Sequence, residues 1–283
     1  MIISPPFHTN TIAYHTKPAA CHKTQPVFLT NHRAVRYTFS ILEKAGNPMK
    51  TILFDLDGTL LPMDQDLFIK AYFGGLSKKL TAHGYAPEEL VKAIWAGTGA
   101  MVANDGSCTN EEAFWKSFTS RFGEDARKDE PIFDEFYRTD FQKVQLSCGF
   151  APQAKDIIDL LKQLGCRIVL ATNPLFPAVA TQSRIRWAGL QPEDFELITT
   201  YENSCHCKPN PAYYRDILAQ IDCKATDCIM VGNDVDEDMI AETLGMQVFL
   251  LTDNLINKNN ADISAWHHGD FNALQQFLQS AVQ

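Results

Sequence analysis

Two aspartates one residue apart, Asp55 and Asp57, stand where the apolar run Thr51-Ile52-Leu53-Phe54 ends and Gly58-Thr59 begins. In an extended strand alternate side chains share a face, but a glycine turn directly afterwards lets each carboxylate be aimed separately. One such group can attack as a covalent nucleophile, while the other holds a proton and serves as acid and base. The pair therefore predicts covalent catalysis with acid–base assistance.

Carboxylates at a strand end act only if other elements bring partners to them, and the downstream sequence has the right form. A helix-like stretch at Ala154–Leu164, stopped by Gly165, precedes a strand at Arg167–Ala171 that ends in Thr172-Asn173-Pro174. Further apolar runs follow at Glu196–Thr200, ahead of Lys208 and a helix at Pro211–Gln220, and at Cys228–Val231, ahead of Gly232-Asn233-Asp234. The last, Gln247–Leu251, leads into Thr252-Asp253. Strands alternating with amphipathic helices predict an α/β fold, a Rossmann-like parallel sheet. In such sheets ligands bind beyond the carboxyl ends of the strands, so Asp55, Thr172, Lys208 and Asp234 are expected to converge.

Residues 65–148 show helical patterning in place of a further strand. Leu67, Phe68, Ala71 and Tyr72 make one stripe, and Thr109 with Glu112 forms a capping box ahead of Phe114, Trp115 and Phe118. The expected organisation is an α/β catalytic core at 49–64 and 149–283 with an inserted helical cap at 65–148, a mobile lid over the site. Trp95, Trp115, Phe136 and Tyr137 are candidates to touch substrate, although filling the cap's own core is the better reading for each. Residues 1–48 contain five prolines, five basic residues and a single acid, Glu43. They read as an extension outside the fold, either a translated upstream stretch with Met49 as the true start or an acid-poor targeting arm.

With 283 residues, 45% of them hydrophobic, the chain can bury a large core, and its net charge of −9 argues against nucleic acid and anionic membranes as partners. The absence of a bilayer-length apolar run and of a secretory pattern makes the cytoplasm the expected compartment. Eight cysteines are too sparse for a disulfide scaffold. Cys205-His206-Cys207 with Cys223 and Cys228 has the wrong spacing for a zinc knuckle and reads as ordinary thiols.

Taken together, four segments resemble, in order, the motifs of the haloacid dehalogenase superfamily: Phe54-Asp55-Leu56-Asp57-Gly58-Thr59-Leu60, Ala171-Thr172-Asn173, Lys208-Pro209-Asn210-Pro211, and Val231-Gly232-Asn233-Asp234 through Asp238. The helical insertion is similar to the C1 cap of that superfamily. The resemblance implies a phosphatase acting on a small phosphorylated substrate, with Asp55 as nucleophile and Asp57 as acid–base. It also implies Mg2+ held by Asp55, the backbone carbonyl of Asp57 and Asp234, and phosphate oxygens held by Thr172, amides near Asn173 and Lys208. Asp238 is expected to orient a metal-bound water or Lys208. In the fourth motif many relatives read Gly-Asp where this chain has Gly232-Asn233. Asp234 is the preferred metal ligand over Asn233, because a carboxylate is the harder donor, and Asp236 and Glu237 are expected on the first turn of a following helix. A proton donor at Asp57 suits cleavage of a phosphate ester better than dehalogenation. A phosphomutase or other phosphotransferase and a catalytically silent phosphate-ligand binding protein are the alternative readings.

Overall fold

A computed structural model describes residues 49–282, and the extension at 1–48 lies outside them. Six strands, β1 (Thr51–Phe54), β2 (Arg167–Leu170), β3 (Leu197–Ile198), β4 (Cys228–Gly232), β5 (Gln247–Leu251) and β6 (His267–Gly269), form one sheet among these residues. Their order is β3-β2-β1-β4-β5-β6, and every pairing is parallel. Alternation sends Ile52 and Phe54 into one core cluster and Leu53 into the other, and neighbouring strands divide the same way, so both faces of the sheet are covered. In β1, Phe54 lies in register with Leu170 on one side and Val231 on the other. Chain order reverses across β1, which opens a crevice at its carboxyl end.

The helices between β1 and β2 are α1 (Gln65–Thr81), α2 (Pro87–Val102), α3 (Asn110–Phe122), α4 (Glu130–Arg138) and, beside the sheet, α5 (Pro152–Gln163). Later come α6 (Ala178–Trp187), α7 (Pro211–Gln220) and α8 (Phe271–Ala281). Ile157 and Leu161 of α5 and Leu274 and Leu278 of α8 cover one face, and Tyr213, Tyr214 and Ile217 of α7 cover the other. The first four helices pack through aromatic rings, with Phe118 edge-on to Phe133 and Tyr72 edge-on to Phe136.

α3 begins with the expected capping box: Thr109 Oγ1 accepts from the Glu112 amide, and the Glu112 carboxylate accepts from the Thr109 amide. Its first residues also tie the helical layer to the core. The amides of Asn110 and Glu111 donate to the carbonyls of Ser204 and Tyr201 at 2.8 Å each. The buried Asn110 amide group lies 3.3 Å from the Pro174 carbonyl and 3.4 Å from that of His206.

Several expectations are corrected. The buried row of α1 is Phe68, Tyr72, Leu76 and Leu80, whereas Leu67 is 55% exposed, because the helix offers the core a narrow i, i+4 row. β3 has two residues in place of the five expected. β6 was not anticipated, since an exposed His-His-Gly edge strand carries no apolar run. No α-helix opens directly after β4: Val235–Asp238 form a turn before a short 3-10 helix at Met239–Leu244, so Asp236 and Glu237 are turn residues.

Candidate active site

β1 hands directly into the acid loop. The Asp55 amide still donates to Val231 at 2.9 Å, after which the chain folds back with the Gly58 amide on the Leu61 carbonyl at 2.8 Å. Gly58 has φ +86°, and a Cβ there would lie 2.3 Å from Asn233 Nδ2, so both the backbone hand and the available space require glycine. That contact fixes the role of Asn233. Its side-chain oxygen accepts from Thr59 Oγ1 at 3.0 Å and its amide group donates to the Asn254 carbonyl at 2.6 Å, bracing the acid loop against the end of β4. Asp234 folds into the next turn, where Oδ1 accepts from the amides of Asp236 at 2.8 Å and Glu237 at 3.0 Å. It lines one cavity with Asp55 and Asp57.

Each acid of the loop has its own buried cation. Lys208, reached through the loop after β3, donates to Asp55 Oδ1 at 2.9 Å and to Asp238 Oδ1 at 2.6 Å. Burial works against its charge, yet the two carboxylates outweigh that and hold its pKa well above the ordinary lysine range. Asp238 in turn accepts from the Asp234 amide at 3.0 Å. It lies against Gly232, where a Cβ would meet its carboxylate at 2.1 Å. Arg184 on α6 is 1% exposed, pairs with Asp57 Oδ2, and stacks over Phe176 at 4.5 Å. Burial raises the Asp57 carboxyl above its usual range, Arg184 opposes this, and the neighbouring Asp55 adds to it. The net direction favours a carboxyl that can carry a proton. Asp57 Oδ1 has no partner, and Thr59 Oγ1 donates to Asp55 Oδ2 at 3.3 Å.

Thr172 and Asn173, past the end of β2, line the same cavity. Thr172 is fixed by its carbonyl, which accepts from Thr199 Oγ1 at 2.7 Å and from the Tyr213 hydroxyl at 2.9 Å. Asn173 Nδ2 donates to Glu237 at 3.0 Å, and Asn173 Oδ1 is buried without a partner. Burial, with help from Asp238, Asp234 and Asp55 and against the pull of Lys208, pushes the Glu237 carboxyl up to about 7. Lys208 is buried and its ammonium is shared between Asp55 and Asp238, both of which line the cavity. Of the four aromatic candidates, Trp95, Trp115 and Tyr137 line the cavity, whereas Phe136 is fully buried against Tyr72 and Phe141.

Arg184 and Glu237 are the site residues that sequence reasoning missed. Arg184 lies two positions from Arg186 on a helix whose buried residues include Ala180, Thr181, Ser183, Ile185 and Trp187, so no polarity pattern marks which arginine points inward. The signal for Glu237 is its closeness to Asp234, but the sequence reading places it on the first turn of a helix, where the dipole alone accounts for an acid. The cysteines separate: Cys223 and Cys228 face each other with sulfurs 3.5 Å apart, Cys207 packs on the Met101 carbonyl, and His206 pairs with Asp216 at 2.6 Å.

The donor chemistry fits magnesium. Five carboxyl side chains, Asp55, Asp57, Asp234, Glu237 and Asp238, line the cavity, a concentration of oxygen donors on which a divalent cation could draw. No cysteine or histidine lines the cavity, and oxygen-only donors suit a hard cation. Among the described residues no group of three or more His, Cys, Asp or Glu side chains is arranged to hold a metal.

The sequence profile of haloacid dehalogenase-like hydrolases matches residues 49–241. Phosphoglycolate phosphatase of Vibrio parahaemolyticus is 29% identical over 207 residues, covering 72% of this chain and 84% of that protein. Pyrophosphatase PpaX of Bacillus cereus is 26% identical over 188 residues, covering 65% and 74%. Among solved structures, the HAD phosphatase from Thermococcus onnurineus superposes with a TM-score of 0.50 at 18% identity, covering 81% of this chain and 98% of that one. The L-2-haloacid dehalogenase PA0810 gives 0.52 at 19%, covering 82% and 99%. A phosphatase and a dehalogenase thus share this fold, so the structural likeness carries the architecture while the curated relatives carry the enzyme class. The chain belongs to the haloacid dehalogenase-like hydrolases, as an enzyme of their phosphatase group.

Proposed function

We propose that the protein is a magnesium-dependent phosphomonoester hydrolase that cleaves a small phosphorylated metabolite through an aspartyl-phosphate on Asp55. The observation that carries this reading is the separate pairing of the two acids, Asp55 with Lys208 and Asp57 with Arg184, at the carboxyl end of one central strand. Asp55 accepts from an ammonium on one oxygen and from a hydroxyl on the other, which aim it to attack phosphorus in line. As its oxygen bonds to phosphorus, the ester oxygen departs and takes a proton from Asp57. A water then attacks the aspartyl-phosphate, gives its proton back to Asp57, and releases Asp55 and inorganic phosphate. Asp55, Asp234 and the Asp57 carbonyl would hold magnesium, which supplies neutralisation of phosphate charge. Thr172 and Asn173 border the phosphate position and Lys208 keeps Asp55 aimed; Asp238 positions Lys208, and Asn233 braces the loop.

Phosphoglycolate, named for one of the relatives, belongs in the panel of substrates to be tried. The test is phosphate release from an activated aryl phosphate and a metabolite-phosphate panel. It is run with magnesium, with a chelator, and with Asp55→Asn and Asp57→Asn. Activity that survives Asp55→Asn removes the assigned nucleophile, and activity indifferent to chelation removes the metal.

A further inference from the structure

Above the acids the cavity, about 280 Å³, is walled by rings and aliphatic chains from the helical layer, among them Phe68, Phe73, Trp95, Phe114 and Phe133. No lysine, arginine or histidine lines it. The two cations nearest the acids are already committed, Lys208 to Asp55 and Asp238, and Arg184 to Asp57. The polar groups of the upper wall are neutral, and only some are satisfied: Trp115 Nε1 is buried without a partner. The hydroxyls of Tyr72 and Tyr137 bond each other at 3.0 Å, and Thr98 donates to the Ile94 carbonyl of its own helix at 3.0 Å. A second anionic group on the substrate would enter an apolar space with no countercharge, which is strongly unfavourable.

Resting on the phosphatase reading, we propose that the preferred substrates are monophosphates whose leaving group is apolar, an aryl or short aliphatic alcohol, and carry no second charge. An apolar cavity of about 150 Å³ holds one benzene ring, so the volume here has room for a phosphate and one ring-sized group. The apolar wall acts on the part of the ester that departs, so it governs selectivity through kcat/KM.

The test compares straight-chain alkyl phosphates from ethyl to hexyl, whose leaving alcohols have nearly constant acidity, using the full-length protein with magnesium. Each added methylene should raise kcat/KM by about fourfold until the cavity is filled, on the order of 10²-fold across the series. Butyl phosphate should exceed its equal-length carboxylate-bearing counterpart by a similar factor. Trp95 is 48% exposed and lines the cavity, so Trp95→Arg alters the wall at a position where the fold does not depend on burial. That variant should flatten the alkyl series and raise turnover of the carboxylate-bearing ester. A flat alkyl series, or preference of the wild type for the charged ester, overturns this inference while leaving the phosphatase reading in place. No phosphate released from any ester, the activated aryl phosphate included, overturns both.

Discussion

Replacing Arg184 with methionine removes the cation of the Asp57 pair while keeping a side chain that fills most of its volume. Removing one member of a buried ion pair costs about 3–5 kcal/mol, since the other charge is left uncompensated. Arg184 is 1% exposed but the Asp57 side chain is 24% exposed, so water can recover part of the loss and the lower end, about 3 kcal/mol, is expected. At about 2–4 °C per kcal/mol for a domain of this size, the midpoint of thermal unfolding should fall by roughly 6–12 °C. Arg184→Met combined with Asp57→Asn leaves neither charge and should recover about 2 kcal/mol relative to the sum of the single variants. Urea unfolding of the four proteins at neutral pH, followed by tryptophan fluorescence, measures the cycle. A single variant within about 0.5 kcal/mol of wild type, or strictly additive variants, would refute the claim that Arg184 neutralises Asp57.

Lys208→Met leaves Asp55 and Asp238 facing each other without their shared ammonium, and should lower kcat for phosphate release by about 10²–10³-fold. Lys208→Arg should not restore it, because a planar guanidinium fork cannot replace a compact ammonium between two carboxylates. Gly58→Ala forces a side chain into a positive-φ position beside Asn233 and should cost at least about 1–2 kcal/mol in urea unfolding. The Asp216 hydrogen bond raises the His206 pKa above its usual value, with burial opposing and Asp105 helping. Its stabilisation is therefore fully present below about pH 6.5, the unfolded value, and is lost as pH rises through the higher folded value. Unfolding midpoints from pH 5.5 to 8.5 should show this component in the wild type and lack it in His206→Gln.

Strand identity and sheet class were readable because β1, β2, β4 and β5 are apolar runs buried on both faces, for which residue type alone suffices. β6 was not, since two exposed histidines at an edge are placed by backbone pairing to β5 and by little else. The gathering of Asp55, Asp57, Thr172, Asn173 and Asp234 at one cavity follows from strand polarity, which the sequence order already contains. Side-chain allegiance does not follow from it. Lys208 is shared between Asp55 and Asp238, Asn233 is spent on Thr59 and Asn254, and Arg184 reaches Asp57 across 127 positions of chain. Such choices depend on which buried charge lacks a partner, a property of the assembled fold.

The docking of Asn110 on the loop ahead of Lys208 redraws the seam along which the molecule can part. By chain connectivity the hinge of the helical layer would be sought near residues 64 and 148. Yet Ser204 and His206, which the start of α3 grips, are covalently continuous with the core. An opening that leaves this strap in place breaks all of those bonds, whereas one that preserves them carries residues 201–207 along and pulls on the chain that holds the Lys208 ammonium. Any motion of the layer is thus mechanically joined to alignment of the nucleophile through Asn110, with the Glu111 amide and the Cys207 thiol beside it.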